Sequence, residues 1–199
     1  MLKRLIDITF SLIGLIVLLP VIAVIGLLIR HKLGSPILFR QTRPGLDGKP
    51  FQMIKFRTMR DANDENDRPL PDSARITPFG RFLRSTSLDE LPELWNVVKG
   101  DMSIVGPRPL LMEYLEYYTE EEMLRHSVRP GITGLAQVTG RNNTKWDLRL
   151  QLDVYYVKNR TLRLDIQIIL KTIKQVFMRD GVVAVPSEAY QKLSEERKN

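Results

Sequence analysis

The chain has 199 residues, 43% of them hydrophobic, and 30 Lys plus Arg stand against 23 Asp plus Glu for a formal net charge of +7. The length suits one domain with ample chain for a core. With no Cys and two His, His31 and His126, the chain has no disulfide framework, thiolate zinc site, iron–sulfur cluster or cysteine nucleophile, and little to build a histidine-rich metal site; a metal here would be held by carboxylates and phosphate, which points to Mg2+.

Residues 5–29 form an apolar run of about 25 residues. As a straight helix it would be about 37 Å long, enough to cross a hydrocarbon core of roughly 30 Å. It is too long for a signal-peptide core, and no Ala-x-Ala follows it. Three features argue against a simple span. Pro20 sits near the middle and removes the bond its amide would give to Ile16. Both flanks are basic, Lys3 and Arg4 before and Arg30, His31 and Lys32 after, so both ends prefer the same side. Asp7 lies one turn inside the run, which keeps that end near the headgroups. A helix that enters one leaflet, bends at Pro20 and leaves on the same side satisfies all three, and a Pro-kinked single-pass anchor is the alternative.

Residues 30–60 hold eight Lys or Arg and one acid, Asp47. This stripe suits either anionic lipid or substrate phosphates. Nucleic acid is disfavoured, because no nucleic-acid motif is present and aromatic residues are only 8%. Residues 36–42 and 51–59 read as strands of a hairpin around Pro44-Gly45-Leu46-Asp47-Gly48. Residues 61–72 read as a solvated acidic loop; Asn66 at the required glycine position and the missing final Glu exclude an EF-hand.

Helical patterns follow at 77–84, 91–98, 110–118, 120–127, 145–159 and 162–178. The last has an apolar face suited equally to the core or to a membrane interface. Residues 187–199 read as a polar, frayed tail. Ser87-Leu88-Asp89-Glu90 has capping-box spacing, but with Ser87 as N-cap Pro92 would fall where its ring strikes the Leu88 carbonyl. A helix starting at Asp89 or later places Pro92 in the first turn and the two carboxylates at the helix tip, where a phosphate and its metal can dock. Arg108, between Pro107 and Pro109, is stiffened for bidentate phosphate contact, or is an ordinary loop residue. Arg129-Pro130-Gly131-Ile132-Thr133-Gly134 contains a Gly-x-x-Gly, a weak signal on its own. There is no Walker loop, dinucleotide fingerprint or Ser-His-Asp order.

Taken in order, several motifs resemble one family. They are Arg43-Pro44-Gly45, Lys55-Phe56-Arg57-Thr58-Met59, Arg84-Ser85-Thr86-Ser87-Leu88-Asp89-Glu90-Leu91-Pro92, Gly100-Asp101-Met102-Ser103, Gly106-Pro107-Arg108-Pro109, Arg129 to Gly134, and Asp153-Val154-Tyr155-Tyr156. Across nearly the whole chain the sequence resembles the small monotopic phosphoglycosyl transferases of bacteria. The resemblance implies transfer of a sugar 1-phosphate, that of an N-acetylated amino sugar, from a UDP-sugar to undecaprenyl phosphate, with UMP released as glycoconjugate synthesis begins.

By the same resemblance Asp89 is a nucleophile that carries a covalent phosphosugar, Glu90 completes a dyad with it, and Mg2+ binds at the pair. Lys55, Arg84 and Arg108 match positions that steady phosphate or nucleotide, Asp153 a sensitive position, and Arg129 and Arg141 nucleotide- or phosphate-side positions. Where the family has Ser-Pro at its helix break, this chain has Leu19-Pro20, which leaves the hinge to Pro20.

The expected fold is α+β, mostly helical with a small β-hairpin: a re-entrant membrane hairpin over 1–32, a cytoplasmic catalytic domain with interfacial helices over 33–186, and the tail over 187–199. The expected place is the cytoplasmic face of the bacterial inner membrane, in one leaflet, against anionic headgroups. Two alternatives are an anionic-lipid-binding scaffold without turnover and a direct transferase that releases UDP.

Overall fold

Residues 5–29 are mostly apolar, with Pro20 as their one proline, and they form helix on either side of it. The computed structural model describes residues 1–140, 145–178 and 192–197. It breaks the segment into α1 (Leu2–Val17) and α2 (Leu19–Leu33), bent by 62°. The break falls at Leu18, two residues before the expected hinge, and the cause is the expected one. Pro20 has no N–H to give to Ile16, so α1 stops with the Leu18 amide on Gly14, and Pro20 sits in the first turn of α2, where no amide is needed. No single described helix is long and apolar enough to cross a membrane; the bent pair passes that test only together.

Asp7 corrects one expectation. It is 4% exposed and held by the protein: its Oδ2 accepts from Ser103 Oγ at 2.7 Å and its Oδ1 from the Ile104 amide at 3.2 Å. Lys3 donates to Asp165 at 2.8 Å. The start of α1 is thereby locked to the body.

The hairpin forms as read: β1 (Leu38–Pro44) pairs antiparallel with β2 (Pro50–Phe56), Leu38 opposite Phe56. Asp47 (φ 55°) and Gly48 (φ 72°) lie in the left-handed region that a tight hairpin turn requires. After the acidic loop come α3 (Asp72–Arg75) and α4 (Pro78–Ser85); Thr77 caps α4 by accepting from the Gly80 amide. A 3-10 turn (Leu88–Glu90) then leads to α5 (Glu93–Lys99), with Pro92 at its N-cap. Ser87 makes no side-chain cap, so the capping box is absent.

Beyond α5, β3 (Ser103–Val105) pairs in parallel with β4 (Gly131–Thr133). The glycines of the Arg-Pro-Gly-Ile-Thr-Gly run are needed there: a Cβ on Gly131 would lie 2.1 Å from the Gly106 nitrogen. Between the strands 112–117 is 3-10, followed by α6 (Glu120–Met123), which carries a capping box from Thr119 and Glu122. Then come α7 (Leu135–Thr139), α8 (Trp146–Asn159), α9 (Leu162–Met178) and α10 (Leu193–Glu196). The polar tail is docked where it is described: Leu193 is fully buried with Tyr114, Trp146 and Leu150, and Arg197 pairs with Glu122 at 2.6 Å. The frayed end expected there is therefore corrected for 192–197.

Helix α9 has one face in the core and one apolar face exposed. Ile168 is buried with Val105, Val138 and Tyr156, whereas Ile166, Leu170, Ile173 and Phe177 form an exposed apolar stripe.

Two contacts set the centre. Ile25 and Ile29 of α2 pack on Phe56 and Leu83, and Met53 of β2 packs on Val97 and Met102. Asn96 of α5 is fully buried and pairs with the open edge of β2: its Oδ1 accepts from the Ile54 amide at 3.1 Å, and its Nδ2 donates to the Gln52 carbonyl at 2.7 Å. Asn96→Leu would leave both strand groups unpaired, and each orphan costs about 1–3 kcal/mol. Chemical unfolding of the variant is expected to show a loss of at least about 2 kcal/mol.

Candidate active site

Side chains alternate along β2, so Met53 and Lys55 share the face turned to α5. Lys55 Nζ lies 2.9 Å from Glu90 Oε1 and 2.9 Å from Glu93 Oε1. Arg108, on the loop after β3, reaches the same Glu90 oxygen at 2.8 Å. Arg84, at the end of α4, donates to Thr58 Oγ1 at 3.0 Å, and its charge acts on Asp89. Lys55, Arg84, Asp89, Glu90 and Arg108 thus meet as the sequence led us to expect. They do so at the N-terminal end of α5.

The two adjacent acids are treated oppositely. Burial works against the Glu90 charge, but Lys55 and Arg108 overcome it and pull its carboxyl down to about 2. Asp89, 8% exposed, accepts no hydrogen bond and makes no ion pair among the described residues. Burial and the neighbouring Glu90 push it above its usual range. Glu90 is a pinned anion, and Asp89 is a carboxyl group without a bonded partner among the described residues.

Three further residues belong here that were given no site role from sequence, Arg43 among them although it stands in the Arg43-Pro44-Gly45 motif. Glu93, 1% exposed, is pushed by burial to about 7. Arg43 of β1 is lowered to about 10 by burial and by Arg108; it donates to Gln41. Arg125 is the third. It joins Asp153 at 2.8 Å in a buried ion pair and donates to the Arg108 carbonyl at 2.7 Å. Asp153 therefore stands outside the acid cluster and acts on it through Arg125 and the Arg108 backbone. The one sequence signal for Glu93 was its helical spacing with Asn96 and Val97, which share its buried face.

Arg129 is not at this site. It donates to the Gly100 carbonyl at 2.7 Å, at the opposite end of α5, where Arg4 also donates to Val98 and Met102. Both guanidinium groups satisfy carbonyls at that helix end. Arg141 lies outside the described residues. The basic stripe divides: Arg57 is buried on the Leu33 and Ser35 carbonyls that end α2, Lys55 and Arg43 turn to the site, and Arg30, Lys32, Arg40, Lys49 and Arg60 stay exposed.

Four cations thus gather around three acids, one of them titrating near neutrality, while Arg108 keeps 40% of its side chain exposed. This arrangement suits a polyanion. Among the described residues no group of three or more His, Cys, Asp or Glu side chains could hold a metal by itself. Asp89 with the second oxygen of Glu90 suits a cation that takes one or two carboxylates and completes its shell with substrate phosphates, the habit of Mg2+.

The chain matches the family described as bacterial sugar transferase over residues 1–179. It is 49% identical over 181 residues to the uncharacterized sugar transferase EpsL of Bacillus subtilis, covering 91% of this chain and 90% of that one. It is 43% identical to the undecaprenyl-phosphate galactose phosphotransferase of Salmonella typhimurium, over 90% of this chain and 41% of that one. To the UDP-glucose:undecaprenyl-phosphate glucose-1-phosphate transferase of Klebsiella pneumoniae it is 42% identical, over 88% of this chain and 40% of that one. The chain spans about two fifths of the latter two relatives.

Removing one partner of a buried ion pair costs about 3–5 kcal/mol, and replacing both with apolar groups costs far less. Arg125→Met is therefore expected to lose that much in unfolding experiments, and Arg125→Met combined with Asp153→Leu to recover a good part of it.

Proposed function

The chain belongs to the bacterial sugar transferase family, and we propose that it moves a sugar 1-phosphate from a UDP-sugar to undecaprenyl phosphate. The observation that carries this reading is the opposite treatment of Asp89 and Glu90. Phosphoryl transfer needs positioned charge and an in-line nucleophile more than elaborate acid–base chemistry. An anion pinned by Lys55 and Arg108, beside a carboxylate that accepts no hydrogen bond from the described residues, supplies both.

In the proposed reaction an Asp89 oxygen attacks the sugar-bearing phosphorus. The bond from that phosphorus to the bridging oxygen breaks, and its electron pair leaves on UMP. An oxygen of undecaprenyl phosphate then attacks the same phosphorus, and the Asp89 carboxylate departs, which splits one exchange into two easier ones. Arg108 and Arg84 offset charge on the departing phosphate, while Lys55 and Arg108 keep Glu90 ionised. Mg2+ held by Asp89 and Glu90 would neutralise diphosphate charge when bound. The resemblance points to an N-acetylated amino sugar, and the relatives above are named for galactose and glucose, so the donor panel must contain all three.

The helix pair supports a re-entrant place in one leaflet. Arms of 16 and 15 residues bent by 62° put the apex about 12 Å above the line joining their ends, less than half of a roughly 30 Å core. Exposed Phe10, Ile13, Ile16, Leu19, Val24 and Leu27 cover the arms. The reacting groups then stand near the headgroup plane on the cytoplasmic side of the inner membrane, where a lipid phosphate resides.

Wild type is expected to release UMP with at least one donor of the panel, and Asp89→Asn to abolish both that release and the trapped phosphosugar, because an amide is a poor nucleophile. UDP in place of UMP would replace the covalent scheme with direct transfer, and silence with every donor would leave the scaffold reading. Topology is checked in single-cysteine variants of this Cys-free chain. Leu2→Cys and Lys32→Cys should label from the same side, and adding Pro20→Ala should move part of the Leu2→Cys population to the other. Opposite-side labelling without the Pro20 change would refute the re-entrant shape.

A further inference from the structure

We propose that Glu93 is a positioning residue that holds the Lys55 ammonium beside Glu90 and away from Asp89. The proposal rests on the reading of Asp89 as the nucleophile. A carboxylate in the first turn of a helix is stabilised by the helix dipole and can stay in water. Glu93 instead turns inward with Asn96 and Val97, and an ion buried this deeply costs several kcal/mol unless it is partnered. Its partner is Lys55, and Lys55 has three donors to place. One Nζ stands 2.9 Å from Glu90 Oε1 and 2.9 Å from Glu93 Oε1. Its attraction to Asp89 is felt, yet no ion pair forms between them.

Remove Glu93, and the side of the ammonium that it held is free to turn to Asp89, whose charge already acts on Lys55. A Lys55–Asp89 pair would occupy the oxygen that must attack. It would also hold down the energy of the lone pair the reaction uses. Glu93 does this through the oxygen that stands 2.9 Å from the ammonium nitrogen, and an amide oxygen in the same place can face an ammonium as a carboxylate oxygen does. An amide at this position should therefore serve nearly as well.

The experiment compares Glu93→Gln with Glu93→Leu in the full chain in detergent. Glu93→Gln should keep kcat for UMP release within a few-fold of wild type, and Glu93→Leu should lower kcat about tenfold or more with KM little changed. A purely structural Glu93 would lower the folded fraction and leave kcat per folded molecule alone. The second readout is acylation of Lys55 by an amine reagent, followed by mass spectrometry: faster in Glu93→Leu, unchanged in Glu93→Gln. Wild-type kcat in Glu93→Leu, an equal loss in both variants, or unchanged Lys55 acylation in Glu93→Leu would overturn the proposal. Wild type without UMP release would sink the transferase reading alone, since acylation still decides whether Glu93 holds Lys55.

Discussion

One buried amide aligns the site. Asn96 lies on α5, yet it bonds the edge of β2 as a neighbouring strand would, through Ile54 N–H and the Gln52 carbonyl. Its own carbonyl accepts from the amides of Gly100, Asp101 and Met102, so the same residue also closes the helix end. Fixing that register fixes everything beside it. Met53 meets Val97, and one step of the strand alternation further on, Lys55 meets Glu90 and Glu93. A slip of one residue in β2 would turn Lys55 to solvent, take the cation from Glu93 and leave Glu90 with Arg108 alone.

Charge separation within two adjacent residues follows from this alignment. Asp89 and Glu90 share a 3-10 turn, where neighbours diverge instead of stacking on one face. Glu90 points to the strand and receives Lys55 and Arg108, while Asp89 receives neither. Their environments are thereby driven apart, and such divergence in adjacent titratable groups assigns different tasks to each. Arg125 and Asp153 extend the support outward. Their buried pair holds the Arg108 backbone, so the guanidinium that pins Glu90 is itself held from behind.

Much of this was legible in the chain. Local chemistry announced the hairpin turn at Asp47-Gly48 and the Pro20 break. The break landed at Leu18 because a proline's missing amide is felt one turn earlier, at Ile16. The candidate site was read from the clustering of Asp-Glu, Pro-flanked Arg108 and Lys55 in motif order. What escaped was tertiary. Glu93 has the composition of an exposed helix start, and only the position of Lys55 makes it a core residue. Asp7 reads as a headgroup-facing acid until Ser103 and Ile104 arrive, 96 and 97 residues later. Arg129 and Arg4 look like phosphate ligands by type, yet the helix end they meet already offers carbonyls. The pairing of Asp153 with Arg125 has no local signature at all.

The bent helix pair contributes no group to the acid cluster, but it governs where that cluster stands. Helix α1 runs antiparallel beside α5: Arg4 holds the Val98 and Met102 carbonyls at one end, and Gly14 meets Leu94 near the other, where an added Cβ would lie 3.4 Å from the leucine. Asp7 and Lys3 then tie the start of α1 to β3 and α9. The end of α5 that carries Asp89 and Glu90 therefore lies beside the half of α1 nearest the bend. On the proposed membrane reading, that half is the deeper one. On that same reading, the packing of α1 on α5 would set the height of the carboxylates. A polyprenyl phosphate could then present its phosphate to Asp89 while its chain stays in the leaflet. The bend at Leu18 and the freedom of Asp89 are in this sense parts of one arrangement, joined through a helix of seven residues.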